Sequence, residues 1–102
     1  MSIETTALSF DALLEKARAT EGARIIDVRS EAEFRDGHVP GAENLPLNQI
    51  PTLDAPKDAP LFLYCLSGAR SARGCAALKD KLGFTDVTNL GGIQEYTGPQ
   101  EK

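Results

Sequence analysis

The sequence has no tryptophan, one methionine, one histidine and two cysteines in 102 residues. Each shortage excludes something. A single histidine and two cysteines ten residues apart make no metal-ligand cluster, so neither a metal nor any other cofactor is expected. No run approaches the roughly 20 apolar residues that cross a bilayer, so no membrane association is expected. The opening MSIETTALSF has no basic stretch followed by an apolar one, which argues against a secretory signal and for a cytoplasmic location. In that compartment two cysteines are thiols rather than a staple. Basic residues are the minority, 11 Lys+Arg against 15 Asp+Glu, a net charge of −4. That balance disfavours nucleic acid as a partner and requires any basic site to be local. No internal repeat or low-complexity tract is present.

What remains is ordinary globular composition, 41% hydrophobic and 25% charged. The length fits one domain over 1–102, with its core at about 4–98, large enough to fold without disulfides. Residues 3–8 are a weak extended candidate. Ser9 is a candidate N-cap, and Phe10, Leu13, Leu14 and Ala17 fall on one helical stripe that Gly22 ends. ARIIDV (23–28) is a short apolar run suited to a strand buried on both faces. SEAEFRD (30–36) reads as a short helical turn, and GHVPGAENLP (37–46) as turn-rich chain holding a short strand at most. The three prolines of 51–60 rule out a central strand or helix interior there. LFLYC (61–65) is the second strong strand, residues 69–82 are helical with Cys75, Leu78 and Leu82 on one stripe, and Gly83 suits a helix end. DVTNL (86–90) is a further strand, and the glycine pair 91–92 opens a last short helix. Strands alternating with helices predict an α/β domain whose ligands bind at the carboxyl ends of the strands.

Cys65 stands at such an end, followed by Leu66, Ser67, Gly68, Ala69, Arg70 and Ser71. A loop curled around the sulfur can aim several of these amides inward, with Gly68 supplying a positive φ and the next helix its positive end. The anion in such a nest can be the thiolate. A free thiol has a pKa near 8.5. A helix N-terminus contributes at most about 2 kcal/mol, so a large fall needs directed hydrogen bonds or the field of Arg70 or Arg73. Cys75 shares a stripe with Leu78 and Leu82 and is read as core. His38, in GHVPGA, is read as loop packing rather than a base.

These residues resemble the rhodanese (sulfurtransferase) family. CLSGARS matches its active-loop form C-x-x-G-x-[RQ]-S; IIDVRSEAEFRDGHVPGAENLP (25–46) is similar to its upstream signature; and LGGIQEY (90–96) resembles its terminal motif, with Tyr96 at the usual tryptophan. The resemblance implies a rhodanese-like three-layer α/β domain with a central, mostly parallel five-stranded sheet flanked by helices. It also implies a persulfide enzyme. Cys65 would be the nucleophile toward a small anionic donor such as thiosulfate, and a thiol or protein would accept the sulfur. Residues 66–71 would bind the substrate. Arg70 would draw the donor in, and Arg73, one turn on, is an alternative. Asp27 and Arg29 would give structural support, with Arg29 positioned to pair with Glu33 at i+4.

Cysteine phosphatases also cradle a thiolate, but their signature C-x5-R places arginine six residues after the cysteine. Here that position is Ser71, and Arg70 comes one residue early. The shorter loop leaves too little room for a tetrahedral phosphate. Two other readings keep the fold: a protein-to-protein sulfur relay using the same thiolate, and a non-catalytic interaction module.

Overall fold

The two apolar runs become the adjacent central strands of a parallel sheet. The computed structural model describes residues 8–102. Helix α1 (Phe10–Ala19) is followed by β1 (Arg24–Asp27), α2 (Glu31–Asp36) and β2 (Glu43–Asn44). A 3₁₀ segment (Leu47–Thr52) leads to β3 (Leu61–Cys65), α3 (Ala69–Asp80), β4 (Val87–Gly92) and a 3₁₀ turn (Ile93–Glu95). The strand order is β2-β1-β3-β4, all parallel. No helix among the described residues is long and apolar enough to cross a membrane.

The period-2 alternation of the strands builds three layers. Ile25, Phe62 and Tyr64 point to one face and pack with Phe10, Leu14 and Ala17 of α1. Ile26, Leu61, Leu63 and Cys65 point to the other and pack with Cys75 and Leu78 of α3. The same alternation that buries Leu61 and Leu63 therefore delivers the Cys65 side chain to the α3 face, at the carboxyl end of β3.

Local signals account for most boundaries. The Ser9 hydroxyl accepts from Ala12 N at 3.1 Å and starts α1, a cap worth about 1 kcal/mol. Ser30 and Glu33 form a reciprocal capping box at α2. α3 ends at Asp80, and Gly83 carries the turn beyond it with φ +79°.

Three expectations change. The described residues form four strands rather than five. The turn-rich 37–46 yields only the two paired residues of β2, the prolines of 51–60 donate no ladder N–H, and residues 3–7 lie outside the described residues. Pro51 sits inside the 3₁₀ segment after all. Its turns close through Gln49 N to Pro46 O (2.7 Å) and Leu53 N to Ile50 O (3.0 Å), neither of which uses the proline nitrogen. β4 runs through the glycine pair instead of stopping before it, and a register shift pairs Leu63 with Asn89 but Tyr64 with Gly91. Glycine is required at position 92 because a Cβ there would lie 2.7 Å from Ser67 Cα. β4 passes directly under the loop after Cys65.

Candidate active site

Cys65 is fully buried, and three donors converge on its sulfur. Gly68 N lies 3.0 Å from Sγ, Ser71 N 3.4 Å and Ser71 Oγ 3.5 Å. Gly68 adopts φ +102°, which folds the chain back over the sulfur before α3 begins. Burial pushes the thiol pKa up. The Ser71 hydroxyl and the amides of Ser71, Gly68 and Ser67 oppose it and win, so the Cys65 pKa falls below the ordinary thiol value. Directed hydrogen bonds to the sulfur favour the thiolate. Among the described residues, no protein hydrogen bond takes up the amides of Ala69 and Arg70, the free donors of the first turn of α3.

The Ser71 hydroxyl has one proton and three acceptors within reach: Asn89 Oδ1 at 2.7 Å, Gly68 O at 3.1 Å and the sulfur. Asn89 also donates to Gly68 O (3.3 Å), and its Oδ1 accepts from Gly91 N (2.9 Å). When the sulfur ionises, the hydroxyl can turn to it while Asn89 Oδ1 keeps Gly91 N. Sequence reasoning missed Asn89; its one signal was an amide side chain in an otherwise strand-forming run.

Asp27 and Arg29 form the floor beside the loop. Arg29 Nε lies 3.0 Å from both carboxylate oxygens of Asp27, and Nη2 reaches Oδ2 at 2.6 Å and Gly37 O at 2.7 Å. The expected Arg29–Glu33 pair does not form. Asp27 is fully buried at a strand end, where an unpaired charge is costly, and it takes the nearest guanidinium. Burial disfavours the charged arginine, but the Asp27 contacts prevail and raise its pKa. Asn44 Nδ2 clamps the same segment through Asp27 O and Arg29 O, both at 3.0 Å.

Glu33 turns instead to Arg70, and the pair is bidentate: Nη1 to Oε1 at 2.9 Å and Nη2 to Oε2 at 3.0 Å. Arg70 lines a cleft of about 410 Å³ with Val28, Ser30, Pro46, Leu47 and Asn48. Arg73 does not line it, and the side chain turned onto the sulfur at the sixth position is Ser71. Leu66 stands on the exposed rim, and Ser67 and Ala69 are exposed beside it. A hollow of about 290 Å³ between α1 and residues 96–99 lies away from the thiol. His38 stacks on Phe34 at 3.7 Å, its Nδ1 is 2.8 Å from Phe34 O, and its backbone pairs with Glu101, which is loop packing. Among the described residues, no three His, Cys, Asp or Glu side chains gather as a metal site.

The described residues form a parallel α/β domain in which loop donors ring the sulfur of a cysteine at a strand's carboxyl end. The sequence profile of the Rhodanese-like domain matches residues 6–98, and the chain belongs to that family. It is 40% identical over 86 residues to a sulfurtransferase of Allochromatium vinosum, covering 81% of this chain and 79% of that one. It is 33% identical over 81 residues to the thiosulfate sulfurtransferase PspE of Escherichia coli, 76% and 77% of the two chains. At 40% identity over 79 residues it covers 62% of YqhL, an uncharacterized protein of Bacillus subtilis, and 74% of its own length is matched. Among solved structures it is similar to a rhodanese with anions from E. coli, with a TM-score of 0.69 at 30% identity over 78% of this chain and 98% of that one.

Proposed function

We propose that the chain, acting as one domain, is a sulfurtransferase that carries a sulfane sulfur on Cys65. The observation that carries this is the convergence of the Gly68 and Ser71 donors on a sulfur whose pKa they lower. The thiolate attacks the outer sulfur of thiosulfate, the S–S bond of the donor breaks, and sulfite leaves with the bonding pair. Cys65 then holds a persulfide anion. Cyanide, or a thiol in the cell, attacks the terminal sulfur and returns the thiolate. The loop donors that lower the thiol pKa activate the nucleophile, and the mechanism assigns no separate general base. The unbonded amides of Ala69 and Arg70 are suited to the charge on the terminal sulfur, as the loop amides of 66–71 are as a group.

The thiol is covered in this conformation, so a donor reaches it when the loop rim at Leu66, Ser67 and Arg70 shifts. The similarity to PspE, a thiosulfate sulfurtransferase, supports thiosulfate as donor. The exposure of Leu66, 42%, on the rim favours a second version in which a protein donor or acceptor docks there.

The test is intact mass after incubation with thiosulfate. Wild type should gain one sulfur atom that cyanide or reductant removes, and Cys65→Ser should gain none. Sulfur mapped to Cys75 contradicts the assignment.

A further inference from the structure

The guanidinium that reaches the cleft is already matched. Both terminal nitrogens of Arg70 are held by Glu33, and the other arginine of the site, Arg29, is closed on Asp27. The two pairs sum to zero charge, and ionised Cys65 makes the site negative. Glu33 is itself anchored, its Oε1 accepting from Ser30 N at 3.0 Å and Ser30 Oγ at 3.1 Å. The carboxylate is therefore fixed by the start of α2, and Arg70, on the first turn of α3, is the partner with room to move. The Arg70 guanidinium holds the Glu33 carboxyl down at about 2, so the pair stays charged throughout the neutral range.

We propose that Glu33 is a positioning residue that selects donors by charge: by neutralising Arg70 it handicaps doubly charged sulfur donors relative to singly charged ones. This rests on the persulfide reading of Cys65. A dianion at the cleft must either compete with a bidentate carboxylate for Arg70 or bind beside a negative charge. Each added charge on the donor meets that repulsion again. A singly charged donor that presents the same outer sulfur meets it once.

Glu33→Gln isolates the charge. Its Oε1 can still accept from Ser30, so the capping box and α2 are kept, while Arg70 is left with its charge unmatched. The full chain is assayed with cyanide as acceptor and two donors: thiosulfate, charge −2, and methanethiosulfonate, charge −1, which leaves as methanesulfinate. In Glu33→Gln the thiosulfate KM should fall about 10-fold with kcat within about twofold, and the methanethiosulfonate KM about threefold at most. An equal change for both donors, an unchanged thiosulfate KM or a rise overturns the proposal.

A second reading needs no variant. In wild type, kcat/KM for thiosulfate should not fall as salt is added, because Arg70, the cation lining the cleft, is already matched by Glu33. A fall overturns the proposal. If wild type takes sulfur from neither donor, by intact mass, the persulfide reading itself fails and this one with it.

Discussion

Cys65 and Cys75 lie in the same apolar cluster, both free thiols and both buried, at 0% and 7% exposure. Their acidities nevertheless move in opposite directions. Burial pushes Cys75 up to about 11, with Lys79 only partly opposing it. Burial pushes on Cys65 with the same sign, and the hydrogen bonds from Ser71, Gly68 and Ser67 overcome it. The difference is one of backbone supply. Cys75 sits inside α3, where the amides are engaged in i→i−4 bonds. Cys65 sits where a strand turns into a helix, and the first-turn amides have no partner of their own. A buried cysteine is pushed toward thiolate or thiol according to which unbonded N–H groups surround it.

The largest expected effect breaks the pair outright. Alkylation of the native protein with iodoacetamide at neutral pH should fall on Cys65, more than about 100-fold faster than on Cys75. Cys65→Ser should abolish labelling and Cys75→Ala should leave it. Peptide mapping that finds the label on Cys75 reverses the assignment.

The next effect reads Cys75 through stability. Burial moves its folded pKa from the ordinary thiol value of 9.0 up to about 11. Between those values the folded state holds a proton that the unfolded state has lost. Stability therefore falls as pH rises through that window, by about 3 kcal/mol for two units at 1.36 kcal/mol each. Denaturant melts from pH 8.5 to 11 should show a steeper fall for wild type than for Cys75→Ala; equal slopes would mean that Cys75 ionises freely.

Gly92→Ala sharpens the comparison from below the loop. The new methyl meets Ser67, and the strain is worth about 1–3 kcal/mol. A displaced loop withdraws the Gly68 and Ser71 amides, so Cys65 should come to resemble Cys75, alkylating at least about 10-fold more slowly at pH 7. Full reactivity in this variant would show that the loop donors are dispensable.

The smallest effect removes one donor. Ser71→Ala deletes the hydroxyl 3.5 Å from the sulfur while keeping the amide. At about 1 kcal/mol for one hydrogen bond, the Cys65 pKa should rise and its alkylation at pH 7 should slow about fivefold. A pH–rate profile separates this from a structural effect, since the plateau rate above the thiol pKa should be unchanged.

Much of this site was readable from local pattern. The apolar runs at 23–28 and 61–65 marked the central strands, and Ser9 marked a helix start, because caps and strand runs act over a few residues. The cysteine at the end of LFLYC and Gly68 three residues on announced the loop. Pairings across the chain were not readable. Arg29 was matched to Glu33 by spacing, yet Glu33 pairs with Arg70, 37 residues away, and Asp27 claims Arg29. Asn89 reaches Ser71 across 18 positions, and β4 continues to Gly92, where only a hydrogen atom fits beneath Ser67.

The chain order of residues determined which thiol stands at a strand end, how long its loop is and where glycine permits the backward turn, since these depend on neighbours in sequence. Only the folded chain decided the charges around that thiol. Buried Asp27 holds the guanidinium two residues along the chain, and that left Glu33 to the arginine that only the fold brings to it, Arg70, 37 positions away.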